Sequence, residues 1–334
     1  MSLKDLRPIG PTNIPVSGKL NDLPKLLLGG AVFNQQFNDN PENLPVEEML
    51  KLAFSKGING IDTSPYYGPS EILLGNALKN IKPEFPRENY YIITKAGRVK
   101  LNDFDYKPES IRASVERSLE RLDTDYLDVV YLHDVEFVSE NEIYEALKLL
   151  KSLKSKGVIR HIGISGYPVD FLYKIAKTSA DHPEIGPLDA ILSYSNFNLQ
   201  NEILRDYIDK FYHDAHLQKL LTGSILSMSL LRSGPTHEFH PASKELRDKC
   251  QQVAQLTNSK GVELADLATR YAIKEFLPYG PVVLGVSNLN ELENAIDQYW
   301  NAVDGKIDDS ELVKEVKQAF GKHLNETWES GIPH

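Results

Sequence analysis

Cysteine is almost missing from this sequence, because Cys250 is the only one among 334 residues. A single cysteine cannot form an intrachain disulfide, and it cannot supply a cysteine-based zinc site. Residues 244–257 around it have a helical pattern, so we expect a plain thiol rather than a nucleophile. Any redox chemistry of this protein must then come from a bound cofactor.

A surplus of basic residues and a long apolar run at the start are also lacking. The formal net charge is −10, the sequence pI is about 5.5, and no segment concentrates lysine and arginine. This charge distribution argues against nucleic acid and anionic membranes as partners. Residues 1–25 contain no apolar run long enough for a signal peptide or a membrane-spanning helix. We expect a cytoplasmic protein without a membrane partner, and the sequence leaves its oligomeric state open.

Common phosphate-binding and metal-binding motifs are absent as well. The first apolar run ends in Gly29-Gly30 where a Gly-x-Gly-x-x-Gly loop would stand, and no Walker-type loop occurs. His237, Glu238 and His240 are neighbours, but they lack the His-Glu-x-x-His spacing of a zinc site. We predict no metal site, and a dinucleotide would have to bind in another way.

Short apolar runs alternate with amphipathic stretches along the chain, and 41% of the residues are hydrophobic. Continuous apolar runs are typical of parallel strands that helices cover on both faces. Eight such runs are present, at residues 26–30, 57–62, 90–95, 126–133, 159–165, 188–194, 223–228 and 281–285.

Helix-like segments stand between these runs, at residues 46–56, 70–80, 108–122, 141–156, 169–177, 200–211, 264–274 and 289–299. Eight successive units of a strand and a helix predict a (β/α)8 TIM barrel, an α/β fold, rather than an open doubly wound sheet. No proline-, glycine- or serine-rich linker divides the chain, so we predict one domain over residues 1–334.

Three segments are longer than simple barrel units need: residues 99–107 after the third predicted strand, residues 231–243 after the seventh, and a tail from about residue 306 to residue 334. Loops that follow barrel strands gather at the C-terminal face, where active sites are built. These segments are our candidates for the wall of a substrate pocket. Solvent-exposed loops without a function are the alternative.

Ionisable side chains stand at the ends of predicted strands. The second strand closes on Asp62 and leads to Tyr66 and Tyr67, the third closes on Lys95, and the fourth closes on His133. A tyrosine hydroxyl, with a reference pKa of about 10, transfers protons poorly at neutral pH. A nearby lysine ammonium would lower that pKa, a carboxylate would hold the lysine charged, and a histidine could donate a hydrogen bond to the reacting oxygen. The pattern predicts a proton-transfer site and leaves the choice between the two tyrosines open.

The motif at residues 60–71, Gly-Ile-Asp-Thr-Ser-Pro-Tyr-Tyr-Gly-Pro-Ser-Glu, is followed by Leu-Gly-Asn-Ala-Leu at residues 74–78. Together they resemble the signature of the aldo-keto reductase superfamily, and further matching blocks in the same order extend the resemblance over nearly the whole chain. These blocks are residues 94–95, 127–128, 132–133, 156–160 and 163–165. The resemblance implies the same barrel fold.

The resemblance also implies a role for each ionisable residue. Tyr67, directly before a glycine, would be the general acid/base. Asp62 and Lys95 would tune its proton affinity, and His133 would orient the substrate. The motif thereby selects Tyr67 over Tyr66.

A nicotinamide cofactor that lies extended across the barrel mouth is implied as well. The positions that match its contacts are Gly30, Ser165, Gly166, Ser193, Met228, Ser229, Leu231, Gly285, Ser287, Glu291 and Asn294. Ser165 would bond the carboxamide, whereas Gly166 stands where many members have asparagine. Ser193 stands where glutamine is common. Met228 stands where an aromatic residue is common and would press on the nicotinamide.

Residues 285–294 indicate which nicotinamide cofactor is used. Members that bind NADP tend to carry lysine and arginine here, because a 2′-phosphate needs charged hydrogen-bond donors. This segment has neither, and Glu291 stands about where an arginine would be. A carboxylate would repel the phosphate but could accept from a ribose hydroxyl. We predict NAD over NADP; the alternative is that Glu291 is an exposed first-turn residue favoured by the helix dipole.

Within the superfamily the chain is most similar to a narrower group, the fungal D-arabinose dehydrogenases and plant L-galactose dehydrogenases. Residues 64–71, 131–137, 163–168 and 224–231 carry this likeness. It implies a small-molecule sugar substrate and NAD-dependent oxidation of the C1 hydroxyl of an aldose to an aldonolactone, on a route to an ascorbate-like compound. The preferred aldose stays open. Alternatives on the same fold are an NADPH-dependent aldehyde or ketone reductase and a regulatory subunit that binds cofactor without turnover.

Overall fold

Parallel strands close into a barrel in the computed structural model, which describes residues 6–334. The strands in chain order are β1 (Leu26–Gly29), β2 (Gly60–Asp62), β3 (Tyr91–Ala96), β4 (Arg98–Lys100), β5 (Asp103–Phe104), β6 (Leu127–His133), β7 (Ile159–Gly166), β8 (Ala190–Tyr194), β9 (Lys219–Gly223) and β10 (Val282–Gly285). The barrel runs β1-β10-β9-β8-β7-β6-β3-β2 and closes because β1 pairs with both β10 and β2. The predicted (β/α)8 fold is confirmed.

Helices follow most of these strands and cover the barrel from outside. In chain order they are α1 (Val46–Ser55), α2 (Ser70–Ile81), α3 (Pro108–Arg121), α4 (Glu140–Ser155), α5 (Val169–Asp181), α6 (Lys244–Ser259), α7 (Leu264–Phe276), α8 (Leu289–Val303) and α9 (Ser310–Phe320). Both α6 and α7 stand between β9 and β10, and α9 belongs to the long tail. No helix within residues 6–334 is long and apolar enough to cross a membrane.

The side chains of the barrel strands alternate between two apolar layers. Leu27 and Ile93 belong to an inner cluster that fills the barrel. Leu26, Leu28 and Ile92, which alternate with them along the strands, belong to the larger cluster beneath the helices. Successive strand residues face opposite sides of a sheet, so a strand buried on both faces needs apolar residues at every position. This is why the strands appear in the sequence as continuous apolar runs.

The seventh barrel strand is not where the sequence analysis placed it. The prediction was residues 223–228, whereas the strand is β9, Lys219–Gly223. Ser224, Ser227 and Met228 have φ values of 54°, 50° and 50°, which is left-handed backbone that cannot continue a strand. The apolar residues in this stretch therefore belong to a turn at the barrel mouth.

The helix predicted at residues 200–211 is also wrong. The chain there forms a 3₁₀ turn, Ile203–Tyr207, followed by a π-helical turn, Lys210–Asp214. Just upstream, the side-chain oxygen of Asn198 accepts hydrogen bonds from two backbone N–H groups at 2.9 and 3.0 Å. Asparagine side chains that bond the local backbone compete with regular helical hydrogen bonds. The amphipathic pattern is real, but the backbone forms a 3₁₀ turn and a π turn instead of a regular α-helix.

Candidate active site

A cavity of about 430 Å³ lies at the C-terminal mouth of the barrel. The three long segments of the sequence all reach its wall: Leu101 comes from the β4–β5 hairpin, Phe239 from the loop after β9, and Trp328 from the tail. Their wall position agrees with the pocket expected from their length. Asp62, Tyr67, Lys95 and His133 all line the same cavity.

Lys95 and Asp62 form a buried ion pair at this mouth. Asp62 ends β2 opposite Ile93, and Lys95 lies two residues further along β3 on the same face as Ile93. The Nζ atom of Lys95 donates to Asp62 Oδ1 at 2.6 Å and to the backbone oxygen of Thr63 at 2.9 Å. Burial disfavours the ammonium, but Asp62 and Tyr67 together outweigh it, and the pKa of Lys95 is raised. Lys95 therefore stays charged inside the barrel.

Tyr67 stands beside this lysine. The Lys95 ammonium lies 4.8 Å from the centroid of the Tyr67 ring. Burial raises the pKa of Tyr67, and Lys95 opposes this without cancelling it. The expectation that lysine brings the pKa below its ordinary value is therefore not met in the protein alone. Tyr67 is therefore held as a neutral phenol.

His133 completes the group. It ends β6, and its ring lies edge-on to Tyr67 with 5.6 Å between the ring centroids. Its Nδ1 atom is 2.9 Å from Ser64 Oγ. Burial, with Lys95 and Arg98 adding to it, lowers the pKa of His133 well below the ordinary value. The ring is therefore neutral at physiological pH, so that one of its nitrogens can donate a hydrogen bond and the other can accept one.

The neighbouring tyrosine has a different environment. The guanidinium carbon of Arg98 lies 4.0 Å from the centroid of the Tyr66 ring. Tyr66 also lines the cavity, but the buried lysine lies against Tyr67. This geometry agrees with the choice of Tyr67 that the sequence motif makes.

Arg98 and Asp134 are site residues that the sequence analysis missed. They form a partly buried ion pair, and Asp134 Oδ2 lies 3.6 Å from His133 Nε2. Asp134 directly follows a strand end, so the rule that found His133 could have found it. Arg98 had no such signal, because the β4–β5 hairpin, which places it over the mouth, is a tertiary feature. Both residues line the cavity.

Some of the predicted cofactor positions also line the cavity. They are Ser165, Met228, Ser229 and Gly285. The hydroxyl of Ser165 makes only a long 3.4 Å contact with a backbone oxygen, so it is free to bond a ligand. Met228 and Ser229 have φ values of 50° and 71°. Left-handed backbone in such residues costs roughly 1–3 kcal/mol each and clusters at ligand sites.

These features suit a nicotinamide group. Leu192, Ile225 and Val283 give one side of the cavity an apolar surface for a flat ring. Ser165 offers a hydroxyl for a carboxamide, and the polar side chains of Tyr67 and Lys95 line the same cavity. An apolar wall with a few placed polar groups is the usual form of a cofactor pocket.

Four other predicted cofactor positions are not among the residues that line the cavity. The backbone oxygen of Gly30 accepts from Ser70 Oγ at 2.9 Å. A side chain on Gly166 would lie 2.3 Å from Glu136 Oε2, so this glycine makes room for a neighbouring carboxylate. Ser193 is fully buried and accepts from Asn196 at 3.1 Å, and Leu231 is packed in a hydrophobic cluster beneath α6 and α7.

The three positions near α8 lie outside the cavity wall. Ser287 N–H donates to Glu291 Oε2 at 2.7 Å, and Asn288 Nδ2 donates to Glu291 Oε1 at 2.9 Å. Asn288 caps α8 by accepting from the Glu291 N–H at 2.9 Å, and Glu291 is an exposed first-turn residue, as the alternative interpretation expects. Asn294 donates to Asp266 on α7 at 2.8 Å. The side-chain oxygen of Ser287 accepts from Asn38 at 3.0 Å.

Fold and site together define a parallel α/β barrel with a tyrosine beside a buried lysine–aspartate pair at its mouth. The sequence profile of the Aldo/keto reductase family matches residues 25–316. This chain therefore belongs to the aldo/keto reductase family. Members of this family are oxidoreductases that use nicotinamide cofactors and act on small molecules.

Curated relatives cover almost the entire chain. It is 52% identical over 323 residues to the D-arabinose 1-dehydrogenase of Saccharomyces cerevisiae, covering 94% of this chain and 96% of that protein. It is 34% identical over 338 residues to the L-galactose dehydrogenase of Arabidopsis thaliana, covering 99% of each. Among solved structures, a glycerol dehydrogenase from Gluconobacter oxydans has a TM-score of 0.67 at 21% identity, covering 96% of this chain and 98% of that one. Because that identity is low, the similarity to the solved structure shows the fold alone.

Proposed function

We propose that this protein oxidises the C1 hydroxyl of an aldose of the D-arabinose or L-galactose type to the aldonolactone, with NAD as the cofactor. The observation that carries the proposal is the buried Lys95–Asp62 pair against Tyr67, at the mouth of a cavity of sugar size. The names of the two curated relatives support the choice of an aldose. The lactone product belongs to the chemical class that leads to ascorbate-like compounds.

The reaction divides into a proton transfer and a hydride transfer. A bound nicotinamide supplies the hydride acceptor. His133 holds the C1 oxygen of the sugar beside Tyr67, and Tyr67 takes the hydroxyl proton while the hydride leaves C1. The C1 oxygen then becomes the lactone carbonyl. Lys95 stabilises the Tyr67 phenolate that must form before this step, and Asp62 keeps Lys95 charged.

The preference for NAD rests on the charge at the start of α8. Residues 285–294 contain no lysine or arginine, and the Glu291 carboxylate is held there by Ser287 and Asn288. A 2′-phosphate at this place would meet a negative charge without a cationic partner. A ribose hydroxyl would meet a hydrogen-bond acceptor instead.

One screen tests the substrate and the cofactor together. Reduced-nicotinamide absorbance would be followed with D-arabinose, L-galactose, L-fucose and xylose, each with NAD and with NADP. We expect turnover of at least one aldose with a higher kcat/KM for NAD. A clear preference for NADP would contradict the cofactor proposal, and failure to oxidise any of the four sugars would contradict the substrate proposal.

A second candidate, an NADPH-dependent aldehyde or ketone reductase, is favoured by one observation. Because burial keeps Tyr67 protonated, the phenol can donate a proton to a carbonyl oxygen without a prior ionisation step. Comparing both directions at neutral pH distinguishes the candidates. Rapid reduction of simple aldehydes with NADPH, and slow oxidation of aldoses, would favour the reductase.

A further inference from the structure

His133 has only one ring proton, and the position of that proton decides what the ring offers the cavity. A neutral imidazole donates from one nitrogen and accepts at the other. Because burial, Lys95 and Arg98 all keep this ring neutral, the two tautomers are the states to distinguish. The hydrogen-bond partners of the ring therefore determine its chemistry.

Ser64 is the partner on one side of the ring. This serine is fully buried, and its Oγ lies 2.9 Å from His133 Nδ1. The backbone N–H of Tyr66 donates to the same oxygen at 3.1 Å. Within residues 6–334 the structure gives the Ser64 hydroxyl no third hydrogen-bond partner.

This set of partners favours one tautomer over the other. If the ring proton were on Nδ1, it would point at Ser64 Oγ, and the hydroxyl proton of Ser64 would have no acceptor. A buried donor without an acceptor is costly. If Nδ1 carries no proton, it accepts from Ser64, and every group in the contact is satisfied. The ring proton then belongs on Nε2.

The other side of the ring agrees with this assignment. The Nε2 atom lies 3.6 Å from Asp134 Oδ2, and a carboxylate attracts an N–H at that distance. Asp134 and His133 both line the cavity.

We propose that Ser64 is a positioning residue that fixes His133 as the Nε2–H tautomer, so that His133 donates a hydrogen bond to the reacting oxygen of the substrate. The inference rests on the proposed function for its consequence in turnover. With this tautomer, the C1 oxygen accepts from His133 while its own proton goes to Tyr67. With the other tautomer, a lone pair of Nε2 would face the lone pairs of that oxygen.

The tautomer can be read directly by nitrogen NMR of the full-length protein, without any substrate. The chain has nine histidines, so His133→Gln identifies the resonances of His133. In the wild type we expect a pyridine-like Nδ1 and a protonated Nε2. In Ser64→Ala we expect these two shifts to move towards each other as the tautomers mix. A protonated Nδ1 in the wild type would overturn the proposal.

Kinetics of the same variants give the second readout. For Ser64→Ala we expect kcat for aldose oxidation to fall about tenfold, with little change in NAD affinity, because one hydrogen bond to the ring is lost. Ser64→Thr keeps a hydroxyl at this place and should recover most of the activity. An unchanged kcat in Ser64→Ala would contradict the role of Ser64.

Ser179→Ala is the matched control. Ser179 is a fully buried serine on α5, away from the cavity wall, and its loss should leave both kcat and the His133 shifts unchanged. If no aldose is oxidised, the proposed function fails, whereas the wild-type tautomer still decides the inference about Ser64. The two failures can therefore be told apart.

Discussion

Burial and charge act in opposite directions at Tyr67. Burial favours the neutral phenol, while the Lys95 ammonium favours the phenolate. Asp62 adds a negative charge nearby but is needed to keep the lysine charged in a barrel interior. The charge of Tyr67 therefore depends on a balance among three neighbouring groups, each of which can be tested by substitution.

Tyr67→Phe removes the hydroxyl and keeps the ring. We expect turnover to fall by about 10²–10⁴-fold, because an acid/base group contributes roughly this much. The affinity for NAD, measured by fluorescence titration, should change little. Tyr66→Phe is the comparison. A larger loss of turnover in that variant than in Tyr67→Phe would show that Tyr66, and not Tyr67, is the acid/base.

Lys95→Met leaves the Asp62 carboxyl buried without its partner. Breaking a buried ion pair from one side costs about 3–5 kcal/mol of unfolding free energy, and denaturant titration measures this. Burial already raises the pKa of Asp62 above its ordinary value, and without Lys95 nothing opposes that rise. The penalty should thus shrink at acid pH, where Asp62 becomes neutral. The double variant with Asp62→Asn should recover part of the loss, and no recovery would contradict this account.

Among the structural elements, the C-terminal tail is held partly by Glu136. Glu136, just after β6, is fully buried, and its side chain accepts from the N–H of Tyr167 and from Ser330 Oγ, both at 3.0 Å. Its backbone oxygen accepts from the N–H of Ile332 at 2.9 Å. Trp328 stacks on Tyr167 with 4.4 Å between the ring centroids. The tail is thereby fixed as one wall of the cavity.

This anchoring should depend on pH. Burial, with the nearby Asp134 carboxylate adding to it, raises the pKa of Glu136 from 4.5 to about 8. A detached tail would expose Glu136 to water and lower its pKa towards the ordinary value, so docking is strongest below about pH 4.5, weakens as the pH rises towards about 8, and levels off above it. Hydrogen exchange of residues 328–334 at several pH values measures this effect. Glu136→Gln should remove the pH dependence of tail docking. An equal pH dependence in that variant would show that another titrating group causes it.

The start of α8 gives a prediction about the cofactor. Glu291→Arg replaces a repulsive charge with a partner for a 2′-phosphate, and we expect the ratio of kcat/KM for NADP to that for NAD to rise tenfold or more. The substitution also removes the bonds to Ser287 and Asn288. Glu291→Gln is the control, because it removes the charge and keeps a side-chain acceptor for Ser287 and Asn288. A ratio that stays constant in both variants would show that this residue does not select the cofactor.

At the scale of the whole molecule, the candidate active site and a buried ion-pair network that stabilises the fold lie at opposite ends of the barrel. Asp128, near the start of β6, is fully buried and accepts from Arg87 at 2.7 Å and from Arg160 at 2.8 Å. It also accepts from the backbone N–H of Ile92 on β3 at 2.8 Å. This carboxylate thus joins neighbouring strands at the end of the barrel away from the cavity.

Asp128→Asn should lower the free energy of unfolding by about 3–5 kcal/mol, because two arginines lose their buried partner. The KM for the sugar at a permissive temperature should stay the same, since the active site of such a barrel is at the other face. Asp125→Asn, at an exposed position nearby, is the control and should change stability by less than about 0.5 kcal/mol. A raised KM in Asp128→Asn would contradict this separation.

Local pattern was enough to predict the eight-fold alternation and the strand ends that carry Asp62, Lys95 and His133. It failed at residues 223–228, where apolar residues in left-handed backbone resemble a strand, and at residues 200–211, where side chains compete for the local backbone. Apolar spacing reports which residues are buried. It does not report the sign of φ or the partner of a polar side chain.

The sequence by itself determined the barrel and the four ionisable residues at its mouth, because strand periodicity and strand order place these groups on one face. Only the tertiary structure decided how those groups are charged. Burial keeps the Tyr67 phenol protonated, and Ser64 and Asp134 contact opposite nitrogens of the His133 ring. The Arg98 contact and the anchored tail depend on residues far apart in the chain. Desolvation and hydrogen-bond pairing are properties of the folded surroundings, so no local pattern could have supplied them.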